Sequence, residues 1–302
     1  MSKITLITHS TDFSSIKSVY LQPIFFEYFN IVEFDPTVTY DKNSIIVTNC
    51  LNKNNWYTEL DYKIIVDNLW EARQPLSFTA HYNAHVWINK NWFWYNEALW
   101  YMHLGYNNYV PSKTYKKLAL MPMRLQQPHR DQLFDAMTPY LDQLIYSYND
   151  RGIFLPNDDK EESPSWQRFF NRQWYDDTYF SLIAESKVVT LKEIFITEKT
   201  FKPIAYQHPF LILSQPKVLD YLRSQGFETY NNIFDESYDD EYDLDKRLEK
   251  IINNIKEFNQ IPYDAITLEK LIYNQNLFFN KELIIERIRK EIIEPTLEYA
   301  EA

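Results

Sequence analysis

Short apolar, β-branched runs recur along the first part of the chain, and each is followed by a longer polar or helix-patterned segment. They are Ile4 to Thr8, Ile31 to Phe34, Ile45 to Thr48 and Lys63 to Val66. This alternation is the signature of an α/β sheet protein rather than a bundle or a sandwich. It resumes beyond residue 114 and continues to about residue 280, so the chain divides into two α/β units, with Pro111-Ser112-Lys113 as the expected linker. In the second unit Lys217 to Gln225 reads as a helix stopped by Gly226. From Lys281 the spacing of Ile284, Ile285, Ile288 and Ile292 predicts a terminal amphipathic helix that ends before Pro295. The expected domains are therefore 1–112, 113–280 and a C-terminal helix over 281–302. At 302 residues and 45% hydrophobic content there is material for two cores.

Glycine is scarce, and this excludes whole classes of ligand site. With only Gly105, Gly152 and Gly226, neither a Walker loop nor a G-x-G-x-x-G fingerprint exists, and neither does a G-x-S-x-G nucleophile elbow. Any phosphate must be held by helix ends and basic side chains. Cys50 is the single cysteine, so no intramolecular disulfide forms; at the end of an apolar run it reads as a packing residue in a reducing, cytoplasmic setting. His9, His81, His85, His103, His129 and His208 are scattered without zinc spacing, and no metal is expected. No h-region and no stretch of 18 apolar residues is present, so no membrane span is expected.

Charge narrows the partners. A net charge of −11 argues against a general nucleic-acid coat, because nonspecific affinity for duplexes comes from neutralising phosphates. The charge is uneven: Lys113, Lys116, Lys117, Arg124, His129 and Arg130 form a basic stretch, and Asp235 to Asp245 an acidic one. Asp243-Leu244-Asp245 has the two-carboxylate spacing of a metal site. It leads directly into the helical pattern Leu248, Ile251, Ile252, Ile255, and reads better as a solvated loop ending in an N-cap aspartate.

The densest chemistry lies at Phe195-Ile196-Thr197-Glu198-Lys199. The preceding run, Val188 to Ile196, reads as a strand. Pro203 in the following Thr200 to Tyr206 segment is tolerated if a helix is just starting, with Thr197 as its N-cap. Unpaired amides at such an end carry partial positive charge, and Lys199 and Lys202 would add full charges, which makes an anion site. Glu198 would accept hydrogen bonds from hydroxyls. A carboxylate for a sugar beside an ammonium for a diphosphate is what a sugar-nucleotide site needs.

With its flanks this segment resembles the donor-binding motif of the α-1,3-fucosyltransferases (glycosyltransferase family 10), a Phe-Glu-Asn-Ser/Thr run followed by Tyr-(Ile/Val)-Thr-Glu-Lys. Glu185-Ser186 stands for the first part and Phe195 to Lys199 for the second; Asn is absent after Glu185, the spacer is longer, and Phe195 replaces Tyr. Upstream, Lys116 to Arg124 and Pro128 to Met137 are similar to the family's strand, loop and Arg-x-x-x-(Phe/Tyr)-Asp-Ala-Leu helix. The resemblance implies two Rossmann-like domains facing a cleft, the GT-B architecture. It also implies a GDP-linked sugar as co-substrate with no further cofactor, and inverting, metal-independent transfer. By it Arg130, with Arg124 as second choice, holds the diphosphate, and Glu185 and Glu198 line the sugar pocket. Guanidinium suits that task because it makes bidentate bonds and stays charged.

The resemblance also implies a carboxylate base in the N-terminal unit. Glu71 and Asp67 are the first candidates, at the end of a strand-like run with Trp70 beside them, and His81, His85 and Glu97 are alternatives. The aromatic stretch from Val86 to Tyr106 is mostly core; exposed rings there would stack on a glycan acceptor or on bases of DNA. Two other readings stand beside glycan transfer: the same chemistry directed at modified bases in DNA, and a module that binds sugar nucleotide or carbohydrate without catalysis.

Overall fold

The computed structural model describes residues 3–8, 21–48, 62–67, 85–87, 92–155, 171–189 and 194–301. The first unit comprises residues 1–100 and 280–302, and the second residues 101–279. Both are parallel α/β sheets, as the alternation predicts.

In the first unit, β1 (Ile4–Thr8), β2 (Phe29–Glu33), β3 (Ile45–Thr48), β4 (Lys63–Asp67) and β5 (His85–Trp87) lie in the order β2-β1-β3-β4-β5. Every pair is parallel. Leu6, Ile7, Ile45, Ile46 and Val47 are buried, which is why these strands read as continuous apolar runs. The helix α1 (Gln22–Tyr28) leads straight into β2. The order places the topological switch point between β1 and β3.

The second unit repeats the plan with β6 (Lys117–Met123), β7 (Leu144–Tyr148), β8 (Thr178–Ala184) and β9 (Phe210–Leu213), ordered β7-β6-β8-β9 and again all parallel. Here the direction of winding reverses between β6 and β8. All seven residues of β8 and all four of β9 are buried.

The boundary between the units falls inside α2 (Trp92–His103), between Trp100 and Tyr101, and not at residue 112. Aromatic packing explains the shift. Tyr101 meets Phe278, and Tyr106 and Tyr109 both meet Tyr206, so the chain joins the second core before Pro111. The expected linker is pinned as well: the Ser112 amide donates to Asp176 Oδ1 at 3.0 Å and Lys113 Nζ to the Tyr175 carbonyl at 2.9 Å. Phe93, Trp94, Tyr95 and Tyr101 are buried, which is the core role read from the aromatic stretch.

The C-terminal tail belongs to the first unit. Its helix α3 (Lys281–Ile288) passes through a π-helical turn, Arg289–Ile293, into α4 (Glu294–Glu301), so the expected stop before Pro295 does not occur. Pro295 has no N–H to give to the turn before it, and that turn is the wide π-helical one. Ile284, Ile288, Ile292 and Ile293 are buried, and the Tyr95 hydroxyl donates to the Glu291 carboxylate at 2.8 Å.

All three glycines have positive φ, and so do Tyr115, Gln207 and Lys217. In a chain this poor in glycine, some left-handed positions fall to residues that carry a Cβ. Among the described residues no helix is long and apolar enough to cross a membrane.

Candidate functional site

The carboxyl ends of β6 and β8 meet where the winding of the second sheet reverses, the place where open α/β sheets bind ligands. Arg130 spans that point. It belongs to the first turn of the helix Pro128–Met137, which begins with proline after the extended residue Gln127. Its Nη1 donates to the Leu125 carbonyl beyond β6 at 2.9 Å, and Nη2 to the Ala184 carbonyl at the end of β8 at 3.1 Å and to Ser186 Oγ at 3.3 Å. The residue is 2% exposed, and its buried Nε has no hydrogen-bond partner among the described residues. Among the described residues it forms no ion pair. Burial is the largest influence on the guanidinium and lowers its pKa, with Glu185, Tyr148, Glu198 and Asp150 acting in the opposite direction.

A positive side chain in the first turn of a helix opposes the macrodipole, and burying it adds a desolvation cost. The fold nevertheless places Arg130 there with an N–H to spare. His129, beside it, is also buried, and its Nε2 meets the Glu185 carbonyl at 2.8 Å. Burial is the main reason that its pKa lies below the ordinary histidine value. Sequence reasoning placed His129 only in a basic stretch, although its adjacency to Arg130 was a signal.

The second helix end is built by Glu185. The helix Glu198–Ala205 has Thr197 as N-cap, as the spacing predicts, with Thr197 Oγ1 accepting the Lys199 amide at 3.4 Å. Glu185 is fully buried, and its carboxylate accepts from the Thr197 amide (3.0 Å), the Thr197 hydroxyl (2.7 Å) and the Thr200 hydroxyl (2.9 Å). Both oxygens are thus engaged in tying the end of β8 to the helix start. Pro203 stands sixth in this helix, beyond the first turn where it was expected; only two residues follow it, so little helix is disturbed.

The expected strand from Val188 to Ile196 is absent at residues 188–189 and 194–196. Both edges of β8 are already paired, with β6 and β9, and the segment begins beyond the carboxyl end of the sheet. Its apolar residues Val188 and Ile196 are buried from a loop instead.

Lys199 Nζ donates to Thr197 Oγ1 at 2.9 Å and lies 3.3 Å from Glu198 Oε1 and 3.6 Å from Glu185 Oε2. Desolvation is the strongest single influence on this ammonium and works downward, but Glu198 and Glu185 outweigh it and hold the pKa above the ordinary lysine value. For Glu198 burial acts upward, and Lys199 and Lys202 outweigh it and bring the carboxyl below its usual range. The Lys199 side chain is 26% exposed and that of Glu198 18%, so both can meet a ligand. Phe195 is half-buried and its amide donates to Gln215 Oε1 at 3.1 Å. Lys202 is half-buried and Arg124 is exposed. One region of the second unit therefore brings together Arg130, Glu185, Phe195, Thr197, Glu198 and Lys199.

By sequence the chain matches no known family and no curated protein. Solved structures of α1,3-fucosyltransferase do resemble it. One is 11% identical, with a TM-score of 0.40, 94% of this chain covered and 92% of the other; a second, with GDP-fucose, is 10% identical at 0.39, covering 92% and 90%. A pyruvate reductase is 12% identical at 0.26, with 97% of each chain covered.

The remaining sequence candidates lie elsewhere. Asp67 is the last residue of β4, one strand beyond the β1/β3 switch point, and His85 opens β5 at the opposite, amino edge. Glu97 is fully buried in α2, its Oε1 accepting from Asn96 Nδ2 at 3.1 Å. Glu71, His81 and Cys50 fall outside the described residues. In the acidic run Asp243 is the N-cap read from the sequence, accepting the Lys246 amide at 3.0 Å. The run is not a solvated loop throughout: Glu236–Asp240 forms a 3₁₀ turn, and the buried Asp239 accepts the amides of Leu219 and Asp220. Among the described residues, no cluster of three His, Cys, Asp or Glu could hold a metal.

Proposed function

We propose that this protein is a nucleotide-sugar-dependent glycosyltransferase that moves a sugar, fucose or a related one, from a GDP-linked donor to a hydroxyl acceptor. The observation that carries the reading is Arg130, a buried cation at the β6/β8 switch point that, among the described residues, forms no ion pair and leaves its Nε–H unused. A diphosphate is the ligand chemistry that compensates it best, because a guanidinium and an ammonium together neutralise a dianion without metal.

The chemistry then divides among named groups. As the bond between sugar and phosphate breaks, charge grows on the leaving diphosphate, and Arg130 and Lys199 stabilise it there. Glu198, held ionised by Lys199 and Lys202, accepts from sugar hydroxyls. A carboxylate, Glu71 or Asp67, takes the proton of the acceptor hydroxyl, and attack from the opposite face inverts the anomeric carbon. The acceptor is a glycan or another hydroxyl compound.

Calorimetric titration with GDP-, UDP-, ADP- and CMP-sugars tests this. Saturable binding of the GDP-linked donor, followed by sugar release or transfer that persists in EDTA, is expected. Absence of binding across the panel would overturn the reading. Magnesium- or manganese-dependent transfer would overturn its metal-independent form.

A further inference from the structure

Arg247 lies in the helix Leu244–Glu257 and is 1% exposed. Among the described residues it forms no ion pair, and all its hydrogen bonds go to carbonyls. Nε donates to Glu241 O at 2.7 Å and Nη2 to Tyr242 O at 3.1 Å, both in the chain just before the helix. Nη1 reaches two further segments, donating to Val188 O at 3.0 Å and to Ser214 O. Val188 follows Glu185 by three residues. Ser214 follows β9, and its neighbour Gln215, 2% exposed, accepts the Phe195 amide.

We propose that Arg247 is a positioning residue for the donor site, holding one limb, the residues that follow β8, through Val188 and a second, the residues that lead into the helix Glu198–Ala205, through Ser214, Gln215 and Phe195. The two limbs carry Ser186, which meets Arg130, and the segment that delivers Thr197, Glu198 and Lys199. A lysine could not reproduce the clamp, because three segments are met by one planar fork of five N–H groups, whereas an ammonium offers three from a single point. An apolar side chain would leave these carbonyls without their donor, so Arg247 contributes stability as well as placement. The effect on binding rests on the nucleotide-sugar reading; the clamp itself does not.

Amide hydrogen exchange on the full chain reads the clamp without any ligand. In Arg247→Lys, exchange at Phe195 and Thr197 is expected to accelerate selectively, while Leu182 in the core of β8 keeps its wild-type rate. Gln215→Ala is expected to reproduce the acceleration at Phe195. GDP affinity should fall about 10- to 100-fold in Arg247→Lys, the scale of a site displaced by an ångström. The double variant should bind little worse than the weaker single variant, because both substitutions loosen the hold on Phe195. Wild-type exchange at Phe195 and Thr197, or acceleration spread evenly over the second unit, would overturn the proposal. Should Arg247→Lys fail to fold, wild-type exchange at Phe195 in Gln215→Ala would overturn it equally. If the wild type binds no GDP, the donor reading falls and the exchange result still decides the clamp.

Discussion

The Glu185 carboxylate accepts both the amide and the hydroxyl of Thr197, at 3.0 and 2.7 Å, so one buried side chain joins the end of a central strand to the start of the helix that bears Glu198 and Lys199. Removing it should act on folding before it acts on a ligand. Glu185→Ala leaves the Thr197 amide and the Thr200 hydroxyl without their acceptor and Lys199 with Glu198 as its remaining neighbouring carboxylate. A loss of about 2 to 4 kcal/mol is expected in denaturant unfolding. Glu185→Gln keeps one acceptor and should lose less. A Glu185→Ala protein of wild-type stability would refute this role.

Arg130 and Lys199 should separate from Glu185 by the opposite signature. Replacing either by Ala is expected to weaken GDP binding or transition-state stabilisation by about 2 to 4 kcal/mol, since a buried diphosphate loses a charge-assisted contact. Lys199→Arg should restore only part, because a wide fork replaces a point charge. Unchanged GDP affinity and turnover in both alanine variants would remove these residues from the site.

The acceptor base should leave donor binding intact. Glu71→Gln or Asp67→Asn is expected to bind the GDP-sugar normally and to slow transfer by about 10² to 10⁴-fold, the range of a positioned proton acceptor. Single-turnover assays at saturating donor measure this directly. Wild-type rates in both variants would move the base to His81, His85 or Glu97.

Asp239 gives the protein a pH dependence. Burial is the largest influence on its carboxyl and raises its pKa to about 6 from the ordinary 3.8, although the amides of Leu219 and Asp220 oppose the shift. A raised folded-state pKa stabilises the fold at low pH, and that contribution is lost as pH rises from about 4 to 6. Relative to wild type, Asp239→Asn should therefore gain stability across this window, on the order of 2 to 3 kcal/mol, and hold the gain above it. Parallel stability curves from pH 4 to 7 would show that Asp239 does not titrate there.

Local pattern was enough for the elements themselves. Strands β1 and β3 and the helix from Pro128 to Met137 occupy the expected residues, because apolar periodicity and a proline at a helix start act over a few neighbours. Thr197 and Asp243 were legible as N-caps for the same reason. Tertiary structure alone decided what required residues distant in sequence. Val188 to Ile196 has the composition of a strand, but β8, which it follows, is already paired on both sides and the segment begins beyond the carboxyl end of the sheet. Glu185 reads as a pocket residue until its partners, 12 and 15 residues onward, consume both oxygens. Arg247 carries no motif, since its acceptors are carbonyls, which every residue possesses. The tail and the boundary at Trp100 followed from where aromatic and isoleucine side chains could be buried, a long-range choice that spacing along the chain does not encode.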